Sequence, residues 1–426
     1  MPESVIHLIH AISSAAFGFF LILAIAVSLI LVLISLAVIF LRDRRGERAL
    51  NPEEAPEVTV QIPTKNEIVA LRCARRCLNS DYPAERLQIL IGDDSDQGWI
   101  SEEIDDFAAA HPGVEVVRRE DRSGFKPGNL NAMLEQSRGA IIVVLDSDFT
   151  PGEDFIRRIV APFVHDPDVA SVQARWDFIN PGDNLATVLG ATMGYTFHRV
   201  FLPFMNFFGS SFICGSAEAV RKSVLDELGG WRPGILTEDI EFSLRMTRRG
   251  KKMLYLPDLS CPGEVPRTAG DLYRQQMRWA HGVISAYLLH FPGIWFNRRI
   301  RLRRKTLSMF SGLGYVFPVL VSGLLVTSCL AVLTAPPQPV DPGQVIGEIA
   351  RNVLLTSGLL FLSTVAIWRG GRIRLFPRMV LSAFTVGLVL IFFVLKGIVT
   401  ALLGRPMEWY LIRKSGDCTP AGAAGR

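Results

Sequence analysis

Residues 16–41, AFGFFLILAIAVSLILVLISLAVIFL, form an uncharged apolar run of 26 residues that an ordinary soluble core cannot absorb. About 20 such residues span a bilayer as a helix. No basic stretch precedes the run, no small-residue cleavage site follows it, and it is longer than the apolar part of a signal peptide. Residues 1–41 therefore read as an uncleaved transmembrane anchor. RDRRGER (42–48) comes next. Positive charge is retained on the cytoplasmic side, which places the N-terminus outside and the chain after 42 in the cytoplasm.

Hydrophobic residues make up 49% of the 426-residue chain, and the excess is gathered at its two ends. Three stretches, 307–334, 352–367 and 379–402, approach bilayer length and define a C-terminal transmembrane region at 307–402. The loop 335–349 has no Lys or Arg and reads as external, whereas the basic loop 368–378 reads as cytoplasmic. A third full span would leave the basic tail, 403–426, outside. Either that tail breaks the charge rule or one stretch lies in the interface; a cytoplasmic tail is the reading adopted. The net charge of +4 gives no case for nucleic acid. Its basic clusters, NRRIRLRRK (297–305) and WRGGRIRLFPR (368–378), adjoin apolar segments and suit anionic lipid. The six cysteines contain no C-x-x-C pair, and Cys73 and Cys77 find no partners for a zinc set.

Residues 52–285 read as a globular domain. VTVQIP (58–63), LQILIG (87–92), VEVV (114–117), IIVVLD (141–146) and VASVQA (169–174) have the composition of strands. EIVALRCARRCLNS and PGNLNAMLEQS between them have helical spacing. Alternation of this kind predicts an α/β fold with a mainly parallel sheet, covered on both faces. Such sheets bind ligands beyond the carboxyl ends of their strands, where strand order reverses.

Two of those strands end in acids, at LQILIGDDSD and IIVVLDSD. Clustered carboxylates on one sheet edge repel unless positive charge lies between them. Mg²⁺ or Mn²⁺ takes carboxylate oxygens and keeps positions open for a diphosphate, so Asp146 and Asp148 are candidate metal ligands. The plainer reading is that these acids cap the following helices. Asp239, in GILTEDIEFSLRMTRRG (234–250), opens a helical pattern, and a partly buried carboxylate there can act as a general base. In YRQQMRWAHG (273–282), Gln275, Arg278 and Trp279 share a helix face. That set suits a phosphate held by a guanidinium fork and a sugar ring covered by an indole, although a plain amphipathic helix also carries such residues. YTFHRVFLPFMNFFG (195–209) and the segment 286–306, which includes AYLLHFPGIWFNRRIRLRRK, read as amphipathic interface elements; burial in the core is the alternative.

Taken in order, Asp93/Asp94, Asp146-x-Asp148, Thr237-Glu238-Asp239 and Gln275-x-x-Arg278-Trp279 resemble glycosyltransferase family 2 of the cellulose-synthase superfamily. PTKNE (63–67) is similar to the family's first-strand loop, with Lys65 where tyrosine is common. SGFKPGNLNA (123–132) is similar to its lysine-containing donor loop, and FICGSAEAVRK (212–222) to the segment lining the acceptor site. VQARWDFIN (172–180) resembles the cellulose-synthase-like A and C glucan and mannan synthases. RPMEWYLIRK resembles a gating motif, with Trp409, Lys414 and Ile412 in its threonine position. The resemblance implies a GT-A fold in a cytosolic domain with flanking transmembrane helices. It also implies inverting transfer of a hexose from a UDP- or GDP-sugar. Pro63, Thr64, Glu67, Asp93, Asp94, Lys126 and Asp146 are then expected at the donor, with Asp93 or Asp94 and Lys126 at the nucleoside end. Gln275, Arg278, Trp279, Cys214, Gly215, Trp409 and Lys414 are expected at the acceptor or diphosphate. Asp146 and Asp148 would hold Mg²⁺ or Mn²⁺, and Asp239 would serve as base. A growing glucan- or mannan-type polymer is the expected acceptor, with membrane lipids as surroundings. Ceramide or diacylglycerol is the rival acceptor, and a non-catalytic membrane scaffold the rival of another class. A metal-dependent phosphodiesterase is remote because the seven histidines never cluster. Oligomeric state is not legible.

Overall fold

The runs of β-branched residues become strands, and their order explains where a ligand can sit. The structure, a computed structural model, describes residues 2–41, 49–310, 312–336, 339, 341–410, 412 and 414. RDRRGER (42–48), which carries much of the charge used to orient the chain, and the tail beyond 414 lie outside the described residues. Seven strands form one sheet: β1 (Val58–Thr64), β2 (Leu87–Asp93), β3 (Val114–Val117), β4 (Ile141–Val144), β5 (Val169–Phe178), β6 (Glu218–Arg221) and β7 (Lys252–Gly263). Their spatial order is β3-β2-β1-β4-β6-β5-β7. β6 runs antiparallel to both β4 and β5, and the remaining pairs are parallel. The chain builds outward from β1 through β2 to β3, then returns to place β4 on β1's other side. That reversal opens a crevice at the carboxyl ends of β1 and β4.

Successive side chains of a strand point to opposite faces, so a run apolar at every position is buried on both sides. Val60, Ile62, Ile89, Ile91 and Val143 enter one core layer, and Leu90, Ile142 and Val144 the other. The sequence reading missed β6 and β7. β6 is four residues long with a charge at each end, and β7 contains Pro257 and Pro262, which argue against a strand. β7 tolerates them because it lies at the sheet edge and its pairing with β5 shifts register between Leu256 and Ser260, around Pro257.

The apolar ends are helical. A 38-residue helix, Glu3–Phe40, contains nearly all of the run at 16–41, and Val316–Thr334 is a second helix long and apolar enough to cross a membrane. The other two C-terminal stretches are bent pairs: Pro342–Thr356 with Gly358–Arg369 at 51°, and Ile373–Phe384 with Val386–Leu402 at 56°. The described residues thus hold two such helices, or up to four if each bent pair counts as one. The supposed external loop at 335–349 is shorter than expected, because the helix from Pro342 takes over its second half. At the first bend the Gly358 N–H donates to Ser28 Oγ at 2.7 Å, tying the break to the N-terminal helix.

The phenylalanine-rich segment 195–209 is largely buried against the apolar helices, with Phe207 left exposed. It continues a helix (Leu185–Thr196) through a π turn at Phe197–Phe201 into Leu202–Phe207. Tyr195, Val200 and Phe201 pack with Leu31, Ile34 and Leu362, so the segment joins the sheet domain to the apolar helices. The second such segment behaves differently. A single helix, Ala269–Trp295, passes through the expected boundary at 285–286 and leaves Leu288, Leu289, Phe291 and Trp295 exposed, followed by exposed Phe296.

Candidate active site

The parallel register aligns the strand tips. Thr64 pairs with Asp93 across β1 and β2, and Val144 pairs with Gln61, which brings Asp146 near the level of Pro63. Just beyond β1, Asn66 adopts φ +57°, its N–H donating to Ser95 Oγ at 2.8 Å and its Oδ1 accepting the Asp96 N–H at 2.8 Å. Thr64 Oγ1 donates to the Glu67 carbonyl at 3.2 Å. Glu67 is hydrogen-bonded by Ser147 Oγ. Burial, helped by Asp148 and Asp146 against Lys414 and Ser147, pushes its carboxyl up to about 7.

At the β2 tip, Asp93 accepts from the Ser95 N–H at 3.0 Å, Ser101 Oγ at 2.7 Å and Arg118 Nε at 2.9 Å. Burial works against that charge, but the hydrogen bonds outweigh it and hold the carboxyl below its ordinary value. Arg119 grips Asp94 with Nε at 3.0 Å and Nη2 at 2.7 Å. Lys126 is not at this tip, as the expected nucleoside subsite required. Its ammonium lies 2.7 Å from Asp146 and 3.0 Å from Glu238, and donates to the Gly215 carbonyl. Burial alone would lower the Lys126 pKa, yet Asp146 and Glu238 raise it well above the usual lysine range.

Asp148, beyond β4, accepts from Lys414 Nζ at 2.7 Å and from the Glu264 N–H at 2.8 Å. Asp239 lies in the first turn of the helix Glu238–Arg248, where its backbone N–H groups favour negative charge. Burial first and Glu238 second nevertheless push its carboxyl up to about 7. A Cβ on Gly215 would come 3.3 Å from Asp239 Oδ2, so the Cys214–Gly215 turn forms a wall of the base. Arg278 sits 3.9 Å above the Trp409 ring, and Phe125 stacks on that ring at 5.8 Å. Trp279 lies 6.4 Å from Trp176, and Gln275 lines a small crevice with Glu264, Ile412 and Lys414. The described part of the tail therefore crosses the helix Ala269–Trp295, held also by His281 Nε2 against the Arg405 carbonyl at 2.9 Å, and ends among the acids.

The sheet edge thus brings together Lys126, Asp146, Asp148, Glu67, Asp239, Gly215, Arg278 and the tail, with Asp93 and Asp94 in a separately neutralised group. Sequence reasoning missed Glu218, Arg118, Arg119 and Trp176, and it gave Glu238 no role of its own. The Thr237 side chain makes no capping bond, and Glu238 faces Lys126. Adjacent acids before a helix were the available signal for Glu238, and Trp176 and Glu218 lie inside VQARWDFIN and FICGSAEAVRK, which carry the resemblance; Arg118 and Arg119 had no signal. The acid pair offers only oxygen donors, as hard cations require. No group of three His, Cys, Asp or Glu side chains among the described residues could enclose an ion. Each acid is instead matched to an ammonium, so positive charge is favoured there. Two carboxylates completed by substrate phosphate oxygens form a set that Mg²⁺ or Mn²⁺ accepts, and the residues fit an ion shared with a substrate.

Comparison with known proteins adds to this geometry. A sequence family described as "Glycosyltransferase like family 2" matches residues 55–282, more than half of the chain. Glucomannan 4-beta-mannosyltransferase 2 of Arabidopsis thaliana is 29% identical over 385 residues, covering 87% of this chain and 70% of the relative. Glucomannan 4-beta-mannosyltransferase 1 of Oryza sativa subsp. japonica is 31% identical over 285 residues, covering 62% of this chain and 54% of the relative. The chain spans about half the length of the rice protein. A mannosyltransferase of Pyrobaculum calidifontis, solved with GDP-Man and Mn²⁺, has a TM-score of 0.61 at 16% identity. The match covers 94% of this chain and 99% of that one, and indicates a shared fold.

Proposed function

The chain belongs to glycosyltransferase family 2 and is a glycosyltransferase; from that premise we propose an inverting, membrane-embedded β-hexosyltransferase that extends a glucan- or mannan-type polymer. The observation that carries the reading is Asp239: a carboxyl raised to about 7, beside the Lys126–Asp146 pair and facing a helix that bears Arg278 and Trp279. An aspartate of ordinary acidity, near 3.9, is a weak base, and one near 7 is matched to neutral conditions. Asp239 removes the proton from the acceptor hydroxyl as that oxygen attacks the anomeric carbon opposite the departing diphosphate. One displacement suffices, and no protein nucleophile takes part.

Lys126 and Arg278 hold the diphosphate, and Trp279 with Trp176 presents an aromatic surface for the acceptor sugar. Asp146 and Asp148 would hold Mg²⁺ or Mn²⁺, which supplies positive charge to the leaving group. Lys126 and Lys414 then exchange carboxylate partners for phosphate oxygens. The apolar helices are placed in a bilayer with the sheet domain on its cytoplasmic side, where the exposed 288–296 surface and the basic residues after it meet lipid headgroups. The relatives' names make a mannose nucleotide the first donor to try, and GDP-Man is the one held by the Pyrobaculum calidifontis mannosyltransferase. Membranes containing the protein are incubated with a panel of GDP- and UDP-hexoses and the product is sized. A long polymer supports the proposal, a single hexose on a lipid replaces the acceptor assignment, and no transfer from any donor refutes it.

A further inference from the structure

The segment leading into β6 reads CGSA (214–217), and its backbone bends where side chains are disfavoured: Gly215 has φ +85° and Ala217 φ +51°. A residue with a Cβ costs on the order of 1 kcal/mol in that region, so neighbouring contacts must impose the bend. Glu218, the first residue of β6, is 1% exposed and supplies those at Cys214 and Gly215, while Gln173 Nε2 donates to the Ser216 and Ala217 carbonyls at 2.9 and 3.1 Å. Glu218 Oε2 accepts the N–H of Cys214 at 3.0 Å and that of Gly215 at 2.7 Å. Gln173 Oε1, from the neighbouring strand, accepts the Cys214 N–H as well, at 2.7 Å. Successive amides converging on one carboxyl oxygen form a nest, filled here by the chain's own side chain, whose pKa burial and the nearby Asp239 push well above the ordinary glutamate value.

The outer surface of this turn touches the groups assigned to the chemistry. The Gly215 carbonyl accepts from Lys126 Nζ, and the Gly215 α-carbon backs the Asp239 carboxyl. Ser216 Oγ accepts the Asp146 N–H at 2.8 Å, and the Ser216 carbonyl accepts Trp176 Nε1–H at 2.8 Å. Lys126 retains its two nearest carboxylates, Asp146 and Glu238, if the turn shifts, so the larger part of its charge environment does not depend on Glu218. Asp239 has no comparable side-chain partner among the described residues and takes its position from the turn and its own helix.

We infer that Glu218 is a positioning residue for sugar transfer, fixing the Cys214–Gly215 turn and through it the placement of the Asp239 carboxylate. This rests on the reading of Asp239 as the base. Glu218 touches no substrate, and no bond to it forms or breaks. The full chain is tested as wild type, Glu218→Gln, Glu218→Met and Asp239→Asn. For each, kcat with the donor the wild type uses, the affinities for GDP and UDP, and the unfolding temperature are measured. Glu218→Met, without an acceptor, is expected to lose about 10- to 100-fold in kcat while nucleotide affinity stays within about three-fold, the effect expected of a misplaced catalytic group. Glu218→Gln keeps an acceptor oxygen and recovers kcat to within about five-fold of wild type. Wild-type kcat in Glu218→Met, with Asp239→Asn inactive, overturns the inference and leaves the base assignment standing. A joint fall of kcat, nucleotide affinity and unfolding temperature, with Gln no better than Met, reduces Glu218 to core packing and also overturns it. Activity in Asp239→Asn removes the base assignment, and this inference falls with it.

Discussion

β2 and β4 both end in paired acids, and the two ends are neutralised in different ways. At β2, Asp93 and Asp94 meet Arg118 and Arg119, and Arg119 engages both oxygens of Asp94. At β4, Asp146 and Asp148 meet single ammonium groups, Lys126 and Lys414. A guanidinium is a rigid planar fork that holds a carboxylate in one geometry, whereas an ammonium is a point charge on a flexible stem. The arginine-held tip is a finished piece of structure. The lysine-held tip is balanced but exchangeable, as a site that must admit a diphosphate and a cation requires. Similar sequence patterns therefore produced a rigidly held strand end and an exchangeable one, and the partner decided which.

The contrast can be broken by experiment. Its largest consequence is at Asp239, beside the exchangeable tip: Asp239→Asn is expected to lower kcat by about 10²- to 10⁴-fold with little change in nucleotide affinity. Retained turnover would end the distinction. The pH dependence comes next. The base must be ionised, so kcat should rise with pH to a midpoint near 7 and fall about ten-fold per unit below it. Glu67 is also raised to about 7, so the measured midpoint belongs to the group of acids. An acid limb near 4 in a pH–rate profile would contradict this.

At the braced tip the expected effect is on stability. Arg119→Ala leaves Asp94 buried without its fork and should cost about 2 kcal/mol in denaturant unfolding. An unchanged midpoint would show that the brace carries no load. The smallest effect belongs to Lys414: Lys414→Ala should cost about 1 kcal/mol, because the buried Asp148 carboxyl keeps the Glu264 N–H at 2.8 Å as a donor when the ammonium is lost. A loss as large as that of Arg119→Ala would make the two tips equivalent.

The five strands read from the sequence are present because each is a short β-branched or apolar run whose burial on two faces leaves few alternatives. The helix carrying Gln275, Arg278 and Trp279 was legible for a related reason, since helical spacing alone places them together. Glu218 and Arg119 could not be read this way. A glutamate in a four-residue strand and an arginine in a basic loop carry no periodic signal, and their partners come from other elements. The segment 195–209 shows the same limit: its phenylalanines suit a membrane surface or a core equally well, and the N-terminal helix packing on it selected the core.

The sequence alone determined the apolar helices at both ends, the acid-tipped parallel strands and the family, because these depend on local composition, period and spacing. Tertiary structure alone decided which acid has a fork and which an ammonium. Lys414 reaches Asp148 from 266 residues away, and Lys126 joins Asp146 to Glu238. Charge pairing acts over a few ångströms whatever the separation along the chain, so only the folded backbone specifies the partner on which acidity and exchangeability depend.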